Sequence, residues 1–195
     1  MLSRLGAIAA TLVFVAGPAS AEPFRHSTGE WREYHRDWLA VCPDVINEDA
    51  TDYYGFSCFA STGSEELNSA NLPAYKLTLM RNRLTGELDI AITVAADDVE
   101  TDTNGQMVLV FGGEDPVSLD FVEDLETRYN TVNQFYVVDP ATKDLLIERM
   151  KARNAVILTV PLTGKATTKD IRLSLRGVAA SLDFMASYAR KVAEY

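Results

Sequence analysis

Only two cysteines, two histidines and two tryptophans occur in this chain of 195 residues, and these scarcities remove whole classes of chemistry. His26 and His35 stand nine residues apart and belong to neither an H-E-x-x-H helix nor a compact cysteine–histidine set, so no zinc site is expected. Basic residues are also scarce: 18 Lys and Arg stand against 28 Asp and Glu, for a formal charge of −10. Such a surface repels phosphate backbones and adheres poorly to anionic lipid, which argues against nucleic acid as a partner. There is no G-x-S-x-G nucleophile turn. The Gly112–Gly113 pair is followed by Glu114 and Asp115, which would repel a phosphate group rather than cradle it. No cofactor is implied. Beyond residue 21 no apolar run is long enough to span a bilayer, so no transmembrane span is expected after that point.

What is present begins at the N-terminus. Met1–Arg4 is short and positively charged, Leu5 to Gly17 is apolar, and Ala19–Ser20–Ala21 is a small-x-small sequence before Glu22. This is the layout of a secretory signal peptide over 1–21, with the mature chain running as one β-rich domain over 22–195. Its removal takes Arg4 and no acidic residue, leaving the mature chain one unit more negative. The implied location is the periplasm or cell envelope. Two cysteines in an exported chain imply one disulfide, Cys42–Cys58, whose spacing is not that of a C-x-x-C redox site.

The periodicity is mostly that of strands. Trp38, Ala40 and Cys42 share one face of a first strand, with Leu39 and Val41 on the other. Tyr53 to Ala60 suits a second strand, while Glu22 to Gly29 and Ser61 to Pro73 read as loops. Tyr75 to Leu79 alternates, Leu84 to Glu87 turns, and Leu88, Ile90, Ile92 and Val94 line the next strand as a hairpin partner. Met107–Phe111, Val117–Phe121, Gln134–Val138, Val156–Val160 and Ile171–Leu175 continue the pattern. Two helices interrupt it. Asp139 and Pro140 are a helix cap and first residue, and Leu145, Leu146 and Met150 can cover one side. Val178, Leu182, Met185, Ala189 and Val192 form a stripe at intervals of four and three, which needs a sheet to cover it. The expected fold is mainly antiparallel β, a sandwich or flattened barrel with two accessory helices.

Several of these segments carry a family likeness. Trp38-x-x-x-Cys42 with a second cysteine soon after resembles the N-terminal part of the invasion-associated locus B family of exported bacterial proteins. Leu145–Met150 followed by Ala155–Val160 is similar to that family's helix, small residue and strand. Ser174–Leu182 resembles its closing S-L-x-G-hydrophobic-x-x-A-L stretch, with Ser181 where Ala is usual. The chain lacks the family's second cysteine pair, having Val132 to Val138 in its place, and is more acidic. The resemblance implies an envelope-associated β protein, linked in some bacteria to colonising host cells. It brings no catalytic residues.

Candidate sites are few. Asp97, Asp98, Glu100, Asp102 and Asn104 offer oxygen ligands suited to calcium, but without the glycine and terminal glutamate of a calcium loop, so they read as a solvated acidic loop. Asp120, Glu123, Asp124 and Glu126 could pair for hydrolysis only if a cleft separated their environments. Tyr53 and Tyr54, adjacent in a strand, face opposite ways, so one is free either to pack or to meet a sugar or peptide. Tyr53, Tyr54, Asp97, Asp98, Glu100 and Asp102 therefore form the candidate recognition surface. The expected function is non-enzymatic recognition of an envelope protein or host component. The alternative is a small-molecule or glycan binder with an aromatic-lined barrel pocket. A carboxylate-pair hydrolase and a purely structural envelope protein are further alternatives.

Overall fold

The computed structural model describes residues 22–50, 55–97, 99–128, 131–164 and 168–192. Eight strands form one sheet in the order β1 (Phe24–His26), β2 (Glu30–His35), β3 (Trp38–Pro43), β4 (Ser57–Gly63), β5 (Tyr75–Asn82), β6 (Leu88–Val94), β10 (Gln134–Val137), β9 (Leu125–Glu126). Four more form a second sheet in the order β12 (Thr168–Ser174), β11 (Ala155–Pro161), β7 (Gln106–Phe111), β8 (Val117–Asp120). Neighbouring strands are antiparallel throughout. The chain leaves the large sheet after β6, builds β7 and β8 in the second, and returns through β9 and β10. The result is a two-sheet, sandwich-like β fold with two helices, α1 (Pro140–Ala152) and α2 (Val178–Val192).

Alternation sets the inner face. Trp38, Ala40 and Cys42 from β3, Cys58 and Ala60 from β4, Tyr75, Leu77 and Leu79 from β5, and Ile90 and Ile92 from β6 are fully or almost fully buried. They share one core with Met107, Leu109 and Phe111 of β7 and Val156, Leu158 and Val160 of β11. Trp38 also donates its indole N–H to the Ser174 carbonyl at 3.0 Å, tying β3 to the end of β12. The disulfide joins Cys42 and Cys58 one residue beyond the Val41–Phe59 pair, so it continues the β3–β4 pairing.

Both helices close the same core. Asp139 accepts a 2.7 Å hydrogen bond from the Thr142 amide, and Pro140 opens α1, as the sequence implies. The buried face of α1 is Leu146, Ile147 and Met150, whereas Leu145 is 44% exposed. At 100° per residue Leu145 falls more than a third of a turn from the centre of that face. Val178, Leu182 and Met185 of α2 are buried, together with Phe184. This helix packs on β2, β3, β4 and β5, strands far earlier in the chain. Gly177 opens it with φ 110°, and a Cβ there would lie 1.7 Å from the His35 carbonyl oxygen. The close approach of α2 to the β2–β3 turn therefore requires glycine.

Two differences from the sequence reading concern the N-terminal edge. Glu22 to Gly29 contains β1, and β2 precedes the Trp38 strand. The alternation of β2 is hidden because its inward residues are Trp31, Glu33 and His35, with Glu33 and His35 paired at 3.6 Å beneath α2. β4 covers Ser57–Gly63, so the strand runs past Ala60 into the expected loop and does not include Gly55 or Phe56, while Tyr53 and Tyr54 lie outside the described residues.

Candidate functional site

The outer face of the large sheet is built by the other half of the same alternation. Gly63, Lys76, Thr93 and Gln134 stand opposite one another across β4, β5, β6 and β10. The next row is Leu39, Ser61, Thr78, Ala91 and Tyr136. Directly opposed side chains on one face approach within about 5 Å at Cβ, so Lys76 and Thr93 form a neighbouring pair. Gly63, Lys76, Thr93 and Ser61 of these rows floor a cleft of about 560 Å³, walled by Tyr34, Leu39, Leu72 and Pro73.

The wall is a loop folded across the sheet. Gly63 permits it, because a Cβ at that position would meet the Pro73 ring at 2.4 Å. Asn68 then fixes the loop's shape, its side-chain oxygen accepting from the amides of Ala70 and Leu72, both at 3.1 Å. The same side chain donates to the Ala95 carbonyl at 3.1 Å. Asp97 accepts from the Ser69 hydroxyl at 2.9 Å and from the Ser69 amide. Leu72 is 60% exposed and Tyr34 51%, both lining the cleft, and Tyr34 stacks on Phe24 at 6.2 Å between ring centroids.

The electrostatics of the floor are unusual. Burial holds the Lys76 ammonium below the ordinary lysine pKa. Among the described residues, no hydrogen bond or ion pair reaches the Lys76 ammonium, and none is made by the Arg36 guanidinium at the rim. Arg36 sits in the β2–β3 turn with φ 58°, a left-handed conformation. Among the described residues, the buried hydroxyls of Thr93 and Thr78 have no hydrogen-bond partner. Asp37, the acidic residue on the rim, is already engaged by the Ser174 hydroxyl at 2.6 Å and by Arg176 at 3.5 Å. A cation and a hydroxyl side by side, both unanswered in a mostly apolar recess, suit an oxygen-bearing anionic group on a ligand.

Two other clefts hold ion pairs of their own. One of about 580 Å³ between β4 and β12 holds Glu66 paired with Lys169, and Asp170 accepting from Thr159. Another of about 470 Å³ lies between α1 and α2, with Lys151 paired to Glu148. Among the described residues no group of three or more His, Cys, Asp or Glu could hold a metal ion.

The sequence-derived recognition residues are distributed differently. Tyr53, Tyr54 and Asp98 lie outside the described residues, as does the 1–21 segment. Asp97 stands beside the cleft as the anchor of its wall. Glu100 bonds through its carbonyl to the amide of Thr163 at 2.9 Å, and Asp102 closes a local turn by accepting from the Asn104 amide at 3.0 Å. Glu100 and Asp102 do not join Asp97 at the cleft. Lys76 and Thr93 escaped sequence reasoning, although the alternation around Tyr75, Leu77 and Leu79 already places Lys76 on the opposite face. No protein-family model, curated protein or solved structure matches this chain.

Proposed function

We propose that this protein is a non-catalytic recognition protein of the bacterial periplasm or cell envelope, exported by residues 1–21, and that it holds its ligand in the outer-face cleft. One observation carries the reading: among the described residues the Lys76 ammonium, in a mostly apolar recess, has no partner of its own. A half-buried cation without a partner lowers stability, so a fold that keeps one has a use for it. The rigid sheet supplies the floor and a tied-down loop supplies one wall, which is the division of labour expected of a binding site. The exposed Phe24–Tyr34 stack extends the contact surface beyond the cleft. The signal-like N-terminus and the disulfide support export.

The mature, oxidised protein, immobilised and exposed to envelope extract, should retain a component saturably. Replacing Leu72 by Asp places a charge on the wall without touching the core, and should abolish that retention. Equal retention by the parent and L72D would remove the cleft from the function. Fractionation of cells tests the other half: recovery in the cytosol with residues 1–21 still attached would overturn export.

A further inference from the structure

We infer that the cleft takes a small amphiphile bearing a single carboxylate. The carboxylate sits on Lys76 and Thr93, and the apolar body lies against Tyr34, Leu39, Leu72 and Pro73. The inference rests on the cleft being the binding site and names what that site recognises.

Lys76 offers three N–H donors and Thr93 one O–H, a set that matches the lone pairs of a carboxylate. Among the described residues the Thr93 hydroxyl has no hydrogen-bond partner and is closed to solvent, so a carboxylate on Lys76 gains its hydrogen bond once the Thr93 side chain rotates toward the cleft. Charge-assisted hydrogen bonds of this kind are the strong ones, and burial strengthens them further. Arg36 at the mouth adds a second cation free of ion pairs among the described residues, which steers an anion inward.

The rest of the ligand is constrained by what surrounds that pair. Polyanions are disfavoured by the chain's formal charge of −10 and by Asp37 and Asp97 near the cleft. Most of the lining surface is apolar, and of the polar side chains around it Asp37 and Asn68 are already engaged within the fold, which leaves fewer groups to match the hydroxyls of a sugar. A cleft of about 560 Å³ falls in the range that accepts small organic ligands. One charge on an apolar body satisfies all of these conditions.

Calorimetric titration of the mature, oxidised protein tests this with decanoate, decan-1-ol and decyl phosphate as probes, together with a hydrophobic hexapeptide carrying a free C-terminal carboxylate. Decanoate should bind at least about tenfold more tightly than decan-1-ol, the difference expected of hydrogen bonds to a charged group. Lys76→Met should remove that preference, and Lys76→Arg should keep part of it. Acetylation of Lys76 by acetic anhydride should slow in the presence of decanoate, a readout independent of variant folding. Equal affinity for decanoate and decan-1-ol, or an unchanged decanoate affinity in K76M, would overturn the inference. Preference for decyl phosphate or for the peptide would overturn the small-carboxylate assignment. If L72D abolishes envelope capture while decanoate fails to bind, the cleft stands and the carboxylate falls. If L72D changes neither capture nor decanoate binding, the cleft itself is wrong.

Discussion

Lys76 is the residue whose position costs the fold most clearly. Its neighbours along β5, Tyr75 and Leu77, are in the core, and strand alternation forces Lys76 to the other face. There the loop from 64 to 74 covers it, and burial depresses its pKa below the ordinary 10.5. A lysine whose folded pKa is lowered opposes folding while charged. The penalty is complete below the folded pKa, where both states bind the proton. It is relieved as pH rises from the folded value toward 10.5, because there the unfolded chain binds more protons than the folded one. Lys76→Met should therefore stabilise the free protein by about 1 kcal/mol near neutral pH. That gain over the parent should shrink as pH approaches 10.5, as urea denaturation of both proteins across the alkaline range will show. A destabilised K76M, or a gain that grows with pH, would mean that the ammonium is already satisfied. The alternation of Tyr75 to Leu79 makes the outward direction of Lys76 legible in the sequence. Its burial is not legible, since the cover comes from a loop whose fold depends on Gly63, Asn68 and Asp97 together.

Elements were legible in proportion to how much of their signal is local. α1 carries its own start in Asp139 and Pro140, which are its cap and its first residue. The β5–β6 hairpin carries both alternation and a turn, with Asn82 accepting from the amides of Leu84 and Thr85. β2 has neither advantage, because its inward face includes Glu33 and His35 and is completed by Phe184 and Tyr188 from the far end of the chain. β9 is two residues long and exists only because β10 lies beside it. The stripe on α2 showed that the helix needs a sheet without saying which one. The sheet turns out to be the large one, joined to α2 through the Gly177 contact with the β2–β3 turn. Gly177→Ala should therefore act on the docking of the whole helix. The added methyl cannot avoid the His35 backbone, and the left-handed φ adds strain. A loss of at least about 2 kcal/mol is expected, with hydrogen exchange rising in α2, β2 and β3 before the β7–β11 pair. Exchange that rises equally everywhere would show that α2 does not dock as a separable unit.

For the molecule as a whole, the disulfide and the charge distribution act on stability from different sides. Cys42 and Cys58 are separated by 16 residues, and closing that loop in the unfolded chain is worth about 3 kcal/mol in the chain-entropy account. This contribution is insensitive to pH across the acidic range, where the net charge changes most. At neutral pH the formal charge of −10 sets up self-repulsion that opposes compaction. Acidification toward the sequence pI of about 4.7 relaxes that repulsion. Further acidification meets carboxylates that favour the folded state. Burial works to raise the Glu30 pKa, but hydrogen bonds from Arg32 and Thr28 outweigh it and hold the group below 4.5. Asp44 is held below 3.8 by the Trp31 indole N–H and by Arg25, and Asp139 by the hydroxyl and amide of Thr142. Groups with depressed folded pKa values stabilise fully above their unfolded values, and that contribution is lost as pH falls through the folded ones. Stability should therefore rise from pH 7 toward about pH 5 and fall below about 4.5. Denaturation midpoints of the oxidised protein at fixed ionic strength check this, and added salt should flatten the upper limb by screening the repulsion. Asp44→Asn should soften the lower limb alone. A midpoint that only declines from pH 7 downward would show that the negative charges are held too far apart to oppose one another, and that local hydrogen bonding governs the acid response from the outset.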